Sequence, residues 1–231
     1  MSKGELIGAY IFGSVARGKQ DHLSDLDLLA VVRNGMGKVS DEAVLSTVPE
    51  EFRSFRSSIS WYGAARIEQM FRNGELFAWH LFHETVPIFD PSSFIKHLGS
   101  PAPYRDAVLD VCSFRKVMMA IPEEVKANER NAIYEAGLIY ACLRNIAMSS
   151  SWSLCRLPDF SRYSVFNLEG IDDCPISRSE FEKTMLCRMA GQRGGDPPDG
   201  VDKDFVLHLH ARLTPWLEAL QAKLEKVERR G

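Results

Sequence analysis

The decisive stretch is GSVARG at residues 13–18, followed after a short polar run by SDLDL at residues 24–28. Two short apolar runs frame it: LIGAYIF ends at Phe12, and LDLLAVV begins at Leu26. Each is too short for a convincing helix and too apolar for a loop. Each also meets a turn signal, Gly13-Ser14 after the first and Asn34-Gly35 after the second, so both are expected to be buried strands. Residues two apart on a strand share a face. Asp25 and Asp27 therefore present two carboxylates together, while Leu26 and Leu28 turn into the core. Such a pair repels by roughly a few kcal/mol in a poorly solvated site. A divalent cation converts the penalty into binding, and Mg²⁺ favours one or two carboxylates combined with substrate phosphates. Gly13 has no side chain to keep a phosphate from its backbone, and Ser14, at a strand-to-helix turn, offers both an N–H and a hydroxyl. Arg17, one turn further, adds a charged clamp.

Working outward, residues 6–89 alternate short apolar runs with helical patterns. Ser40 caps a helix with early acids, broken at Pro49 and resumed towards Arg56. SSISWY at residues 57–62 is a third expected strand. Residues 64–72 and 75–84 are expected helices split at Asn73-Gly74. GSPAP at residues 99–103 is the expected linker. Beyond it the periodicity is helical, over about 104–121 with a stop at Pro122, then 123–149, 177–189 and 203–230. Residues 191–200, rich in Gly, Pro and Asp, read as a loop. The expectation is an α/β domain over 1–98, a mixed sheet with helices, followed by a helical domain over 104–231.

The spacing of Gly13-Ser14 and of Asp25 and Asp27, in the extended form G-S-x-A-x-G then S-D-x-D-L, resembles the nucleotidyltransferase fold of the DNA polymerase β superfamily. More narrowly it resembles the minimal nucleotidyltransferases and the aminoglycoside adenylyltransferases. The run from Gly74 to Glu84, then Pro87 to Asp90, is similar to the last helix and strand of that domain, so the resemblance covers roughly residues 6–98. It implies Mg²⁺-dependent transfer of a nucleoside monophosphate from an NTP, ATP first among them, to a hydroxyl of a small molecule, a protein side chain or an RNA end. Asp25 and Asp27 would hold the metal and carry catalysis. Gly13, Ser14, Arg17 and Ser24 would bind the nucleotide. Family members usually add a third carboxylate on the next strand. No Asp or Glu occurs between Glu51 and Glu68, and Ser58 or Ser60 falls where that acid belongs. This supports an alternative, a catalytically weakened nucleotide-binding regulator or antitoxin-like partner protein. Glu135, a carboxylate in an apolar helical pattern, is a candidate base, against the plainer expectation of an ion pair with Arg or Lys.

Composition narrows the partners. The 231 residues are 45% hydrophobic and 26% charged, which excludes wholesale disorder. A net charge of −3 disfavours long nucleic acid. No apolar run approaches a membrane span, and the first five residues show no signal-peptide pattern. Five widely spaced cysteines fit buried reduced thiols in a cytoplasmic protein. His80 with His83, and His208 with His210, come without a third ligand at useful spacing, so core or surface roles are expected. The aromatic and arginine-bearing segment from Trp152 to Phe166 is expected to lid a core, with stacking on a ligand the rarer use. Leu213, Leu217, Leu220, Leu224 and Val227 form one apolar seam, expected on the chain's own helical domain in preference to a homodimer.

Overall fold

In the computed structural model, which describes residues 5–21, 24–35 and 37–229, the chain divides into two compact units, Met1–Arg105 and Asp106–Gly231. Expectations about the first four residues and about a last helix reaching Arg230 lie outside the described residues. In the first unit the two apolar runs are strands, β1 (Leu6–Phe12) and β2 (Leu26–Val32), joined through a short helix, α1 (Gly13–Ala16). A five-residue helix, α2 (Asp41–Leu45), follows, capped by Ser40, whose side chain accepts the Ala43 amide. Past Pro49 the helix resumes only as a 3-10 turn over Glu50–Phe52.

The third strand, β3 (Ser57–Gly63), lies parallel to β2, with Asp27 opposite Ser58 and Leu29 opposite Ser60. Then come α3 (Ala64–Asn73), α4 (Leu76–Glu84), β4 (Val86–Phe89) and α5 (Phe94–Leu98). The sheet order is β3-β2-β1-β4, with β1 antiparallel to both β2 and β4. The apolar continuity of β1 and β2 has its reason in two separate cores. On one face Tyr10, Phe12, Leu29 and Val31 pack against Ile67, Met70 and Phe71 of α3 and Leu81 of α4. On the other, Ile11, Leu26, Leu28 and Ala30 pack against Val15, Val44 and Val48.

Residues 99–103 are strapped to this unit. The Ala102 amide donates to the Phe71 carbonyl at 2.8 Å, and the Trp79 indole donates to the Ala102 carbonyl at 2.9 Å. The strap explains Gly74, which ends α3 with φ 67°. A Cβ there would lie 2.3 Å from the Ala102 carbonyl oxygen and 2.5 Å from that of Pro103.

The second unit is helical: α6 (Ala107–Ala127), α7 (Ala132–Leu154), α8 (Arg178–Arg193) and α9 (Lys203–Glu228). Pro122 does not stop α6. Ile121 and Val125 on either side are fully buried, and that packing outweighs the missing backbone donor. The expected helix over 123–149 is instead interrupted at Asn128, which takes an extended conformation and accepts the Arg130 amide with its side chain. A short polar side chain offering its own backbone bond is a recurrent reason for such breaks.

Ser177 and Glu180 form a reciprocal capping box at the start of α8. That helix continues to Arg193, so the loop expected from 191 begins at Gly194. Phe160 is buried, and Tyr163 and Phe166 pack against Phe181, so this part of the aromatic segment serves the core. Leu213, Leu217, Leu220 and Leu224 of α9 are likewise buried in the helical core. All five cysteines are free, and burial pushes the thiols of Cys142, Cys174 and Cys187 up to about 11. Among the described residues no helix is long and apolar enough to cross a membrane.

Gly74→Ala is expected to destabilise the protein by about 2–4 kcal/mol, because the new methyl meets backbone oxygens at a left-handed position. The denaturant midpoint checks this.

Candidate functional site

The antiparallel register sets Phe12 opposite Asp27, which brings Gly13, the next residue, over the Asp27 carboxylate. Gly13 has φ 74°, and a Cβ on it would lie 2.7 Å from Asp27 Oδ2. Only glycine meets both demands, a left-handed backbone and room for an oxygen. From the other side β3 supplies Ser58, whose hydroxyl donates to Asp27 Oδ1 at 3.0 Å. Of the two serines expected beside the acid pair, Ser58 is the one in contact.

Asp25 immediately precedes β2, two residues from Asp27 and therefore on the same side of the chain. Leu26 and Leu28 between and beyond them are fully buried in the opposite core, as their alternation predicted. The Leu26 amide donates to the Arg56 carbonyl at 2.9 Å, which starts the parallel ladder at the level of the acids. Ser24 closes the preceding turn. Its hydroxyl donates to Asp21 Oδ1 at 2.9 Å and accepts the Asp21 amide at 3.0 Å.

Ser14 is the second residue of α1, partly exposed, with its carbonyl accepting the Lys19 amide. Arg17 ends α1, and its guanidinium is held by Glu84 at the C-terminal end of α4. His80, one turn earlier, contacts the same Glu84 oxygen at 2.7 Å and packs edge-on against Phe12, with ring centroids 5.6 Å apart. Among the described residues the buried Arg17 Nε has no hydrogen-bond partner. The sequence marked Arg17 but gave no sign of Glu84 or His80 as its neighbours, since 67 residues separate Arg17 from Glu84. Their i, i+4 spacing on one helix was the only available signal.

The site thus gathers Gly13, Ser14, Asp25, Asp27 and Ser58 at one end of the sheet. Among the described residues no three His, Cys, Asp or Glu side chains form a metal-holding group. The donors fit an ion that takes two carboxylates and completes its shell with phosphate and water oxygens, as Mg²⁺ does. They do not make a three-carboxylate centre, because the neighbouring strand offers a hydroxyl.

Glu135 lies in the second unit, on α7, and is only 4% exposed. Its Oε2 has no hydrogen-bond partner, and among the described residues it makes no ion pair. The expected Arg or Lys partner is therefore not found. Burial, and then the charge of Glu124, push its carboxyl above the usual range.

Removing the anion between Arg17 and His80 leaves a part-buried guanidinium uncompensated. Glu84→Ala is expected to cost about 3 kcal/mol, read as a fall in melting temperature, while Glu84→Gln should lose less because the amide oxygen still accepts.

Comparison with curated proteins finds no match. A family model described as a nucleotidyltransferase domain matches residues 2–60. The matched span takes in Gly13, Ser14, Asp25, Asp27 and Ser58 together with β1, β2 and the start of β3. Domains of this family generally use divalent metal ions and act on nucleoside triphosphates. The acid pair and the Gly-Ser turn lie inside that match, so it is residues 2–60 of this chain that carry the nucleotidyltransferase-domain signature.

Proposed function

We propose that the unit Met1–Arg105 binds a nucleoside triphosphate, ATP in the first instance, with Mg²⁺, and moves its nucleoside monophosphate to an acceptor hydroxyl. The observation that carries this reading is the Asp27 carboxylate seated between the Cα of Gly13 and the hydroxyl of Ser58. Asp25 and Asp27 hold the metal, which when bound neutralises phosphate charge and favours attack by the hydroxyl. The acceptor oxygen forms a bond to the α-phosphorus as the bond to the bridging oxygen breaks. Pyrophosphate leaves with that electron pair, and the acceptor's proton passes to solvent.

Gly13 and Ser14 seat the phosphates, and Ser24 sets the turn that delivers Asp25. Arg17, already held by Glu84, acts as a strut that fixes the end of α1 against α4.

Ser58 favours a second reading, in which nucleotide binds without turnover and the protein acts as a regulator. A serine hydroxyl does not replace the charge of a third carboxylate, so the group that would help activate the acceptor is weakened while the phosphate-binding pair is intact.

Calorimetric titration of ATP and GTP with and without Mg²⁺, followed by a pyrophosphate-release assay over a panel of hydroxyl acceptors, separates the two readings. Metal-dependent binding is expected, lost about tenfold or more in Asp27→Asn, whose melting temperature should hold or rise as the carboxylate repulsion is relieved. Ser58→Asp is expected to lower the melting temperature without Mg²⁺, recover it with Mg²⁺, and raise pyrophosphate release above that of the native chain. Binding with no release in either chain favours the regulator. No binding at all sinks both.

A further inference from the structure

The α6–α7 hairpin contains a cleft of about 570 Å³ that the nucleotidyl-transfer reading does not use. Its walls are two helical stripes facing one another, Val117, Ile121 and Glu124 from α6 and Tyr134, Glu135 and Leu138 from α7. Val117, Ile121 and Glu124 are four and three apart, and Leu138 lies four from Tyr134 and three from Glu135, spacings that keep these side chains towards one side of each helix. The size falls within the range of small-molecule sites, and the lining is predominantly apolar with a few convergent polar groups.

The polar groups are unusual in sign. Glu124 and Glu135 both line the cleft, and among the described residues neither makes an ion pair with Lys or Arg. Glu135 is 4% exposed, with Oε2 buried and, among the described residues, without a hydrogen-bond partner. Burying a carboxyl group without a partner costs free energy, and a second acid nearby adds to the cost of ionising it. Both costs are relieved by a cation entering the cleft. A hydrated metal ion would gain nothing from Val117, Ile121 and Leu138, whereas an organic cation with an apolar body uses the whole lining. Tyr134, 63% exposed, lines the same cleft, and an aromatic side chain beside a bound cation adds to its attraction.

We propose that this cleft binds an organic ammonium ion with an apolar body, its charge set against Glu135 with Glu124 in support.

The test is calorimetric titration of the full chain with phenethylammonium chloride and, as the uncharged probe of similar shape, 2-phenylethanol. The ammonium ion is expected to bind about tenfold or more tightly than the alcohol, because one partner of a desolvated charge pair is missing in the alcohol. In Glu135→Gln most of that preference should be lost, leaving only the smaller part due to Glu124, with the melting temperature held or raised by loss of the buried acid. If Glu135→Gln does not fold, Glu124→Gln is the second variant. It sits on the exposed part of α6 and should lower ammonium affinity severalfold while leaving that of the alcohol unchanged. Equal affinity for the two probes in the native chain, no binding of the ammonium ion, or full ammonium affinity retained in the folded variants would each overturn the proposal.

Discussion

The carboxylate of Asp27 is where three segments far apart in the chain are obliged to meet. The antiparallel pairing of β1 with β2 sets Phe12 opposite it, so the turn that follows must pass directly over the carboxylate. With Asp27 Oδ2 2.7 Å from where a Cβ would be, no residue but glycine fits that turn. The parallel pairing of β2 with β3 brings Ser58 to its other oxygen. A slip of one residue in either pairing would send Asp27 to the opposite face and expose Leu26 or Leu28. The register is fixed because both sheet faces are filled, by α3 and α4 on one side and by Val15, Val44 and Val48 on the other. The geometry of the acid pair is therefore a consequence of two cores, each stabilised independently of any ligand.

Around that centre the polar groups satisfy one another in a second layer. Glu84 joins the end of α1 to α4 through Arg17 and His80, and His80 in turn packs on Phe12, the last residue of β1. Holding two basic side chains on one carboxylate offsets much of the cost of partly burying all three. Among the described residues the helical unit follows the opposite rule in two places, the Ser164 hydroxyl and the Glu135 carboxyl, and only the second carries a carboxyl group. Three of its buried polar side chains bond within one turn, Ser150 to the Ile146 carbonyl, Ser151 to that of Met148 and Thr184 to that of Phe181. Glu135 has no such bond. A carboxyl in that position is the natural place to look for a ligand that the chain itself does not supply.

Much of this was legible before any coordinates. The apolar runs of β1 and β2, the Gly-Ser turn and the alternation of Asp25 and Asp27 with Leu26 and Leu28 are local patterns, and strand periodicity converts them directly into faces. The capping residue Ser40, the helix start at Ser177 and the helix end at Gly74 were legible for the same reason, since each acts within one turn of the chain. Pro122 misled because a local rule met a tertiary exception: two buried neighbours, Ile121 and Val125, hold the helix through it. The break at Asn128 was missed because Asn is tolerated in helices and only its side-chain bond to Arg130 marks the interruption. The sequence by itself thus determined which residues form strands, which carboxylates share a face and where the chain turns at Gly13 and Gly74. Only the tertiary structure decided that Ser58 and not Ser60 touches Asp27, that Arg17 is held by Glu84, and that Glu135 and Glu124 line one cleft. Those are pairings across 11 to 67 residues. They depend on which elements pack together to bury apolar surface, and no short-range periodicity encodes that choice.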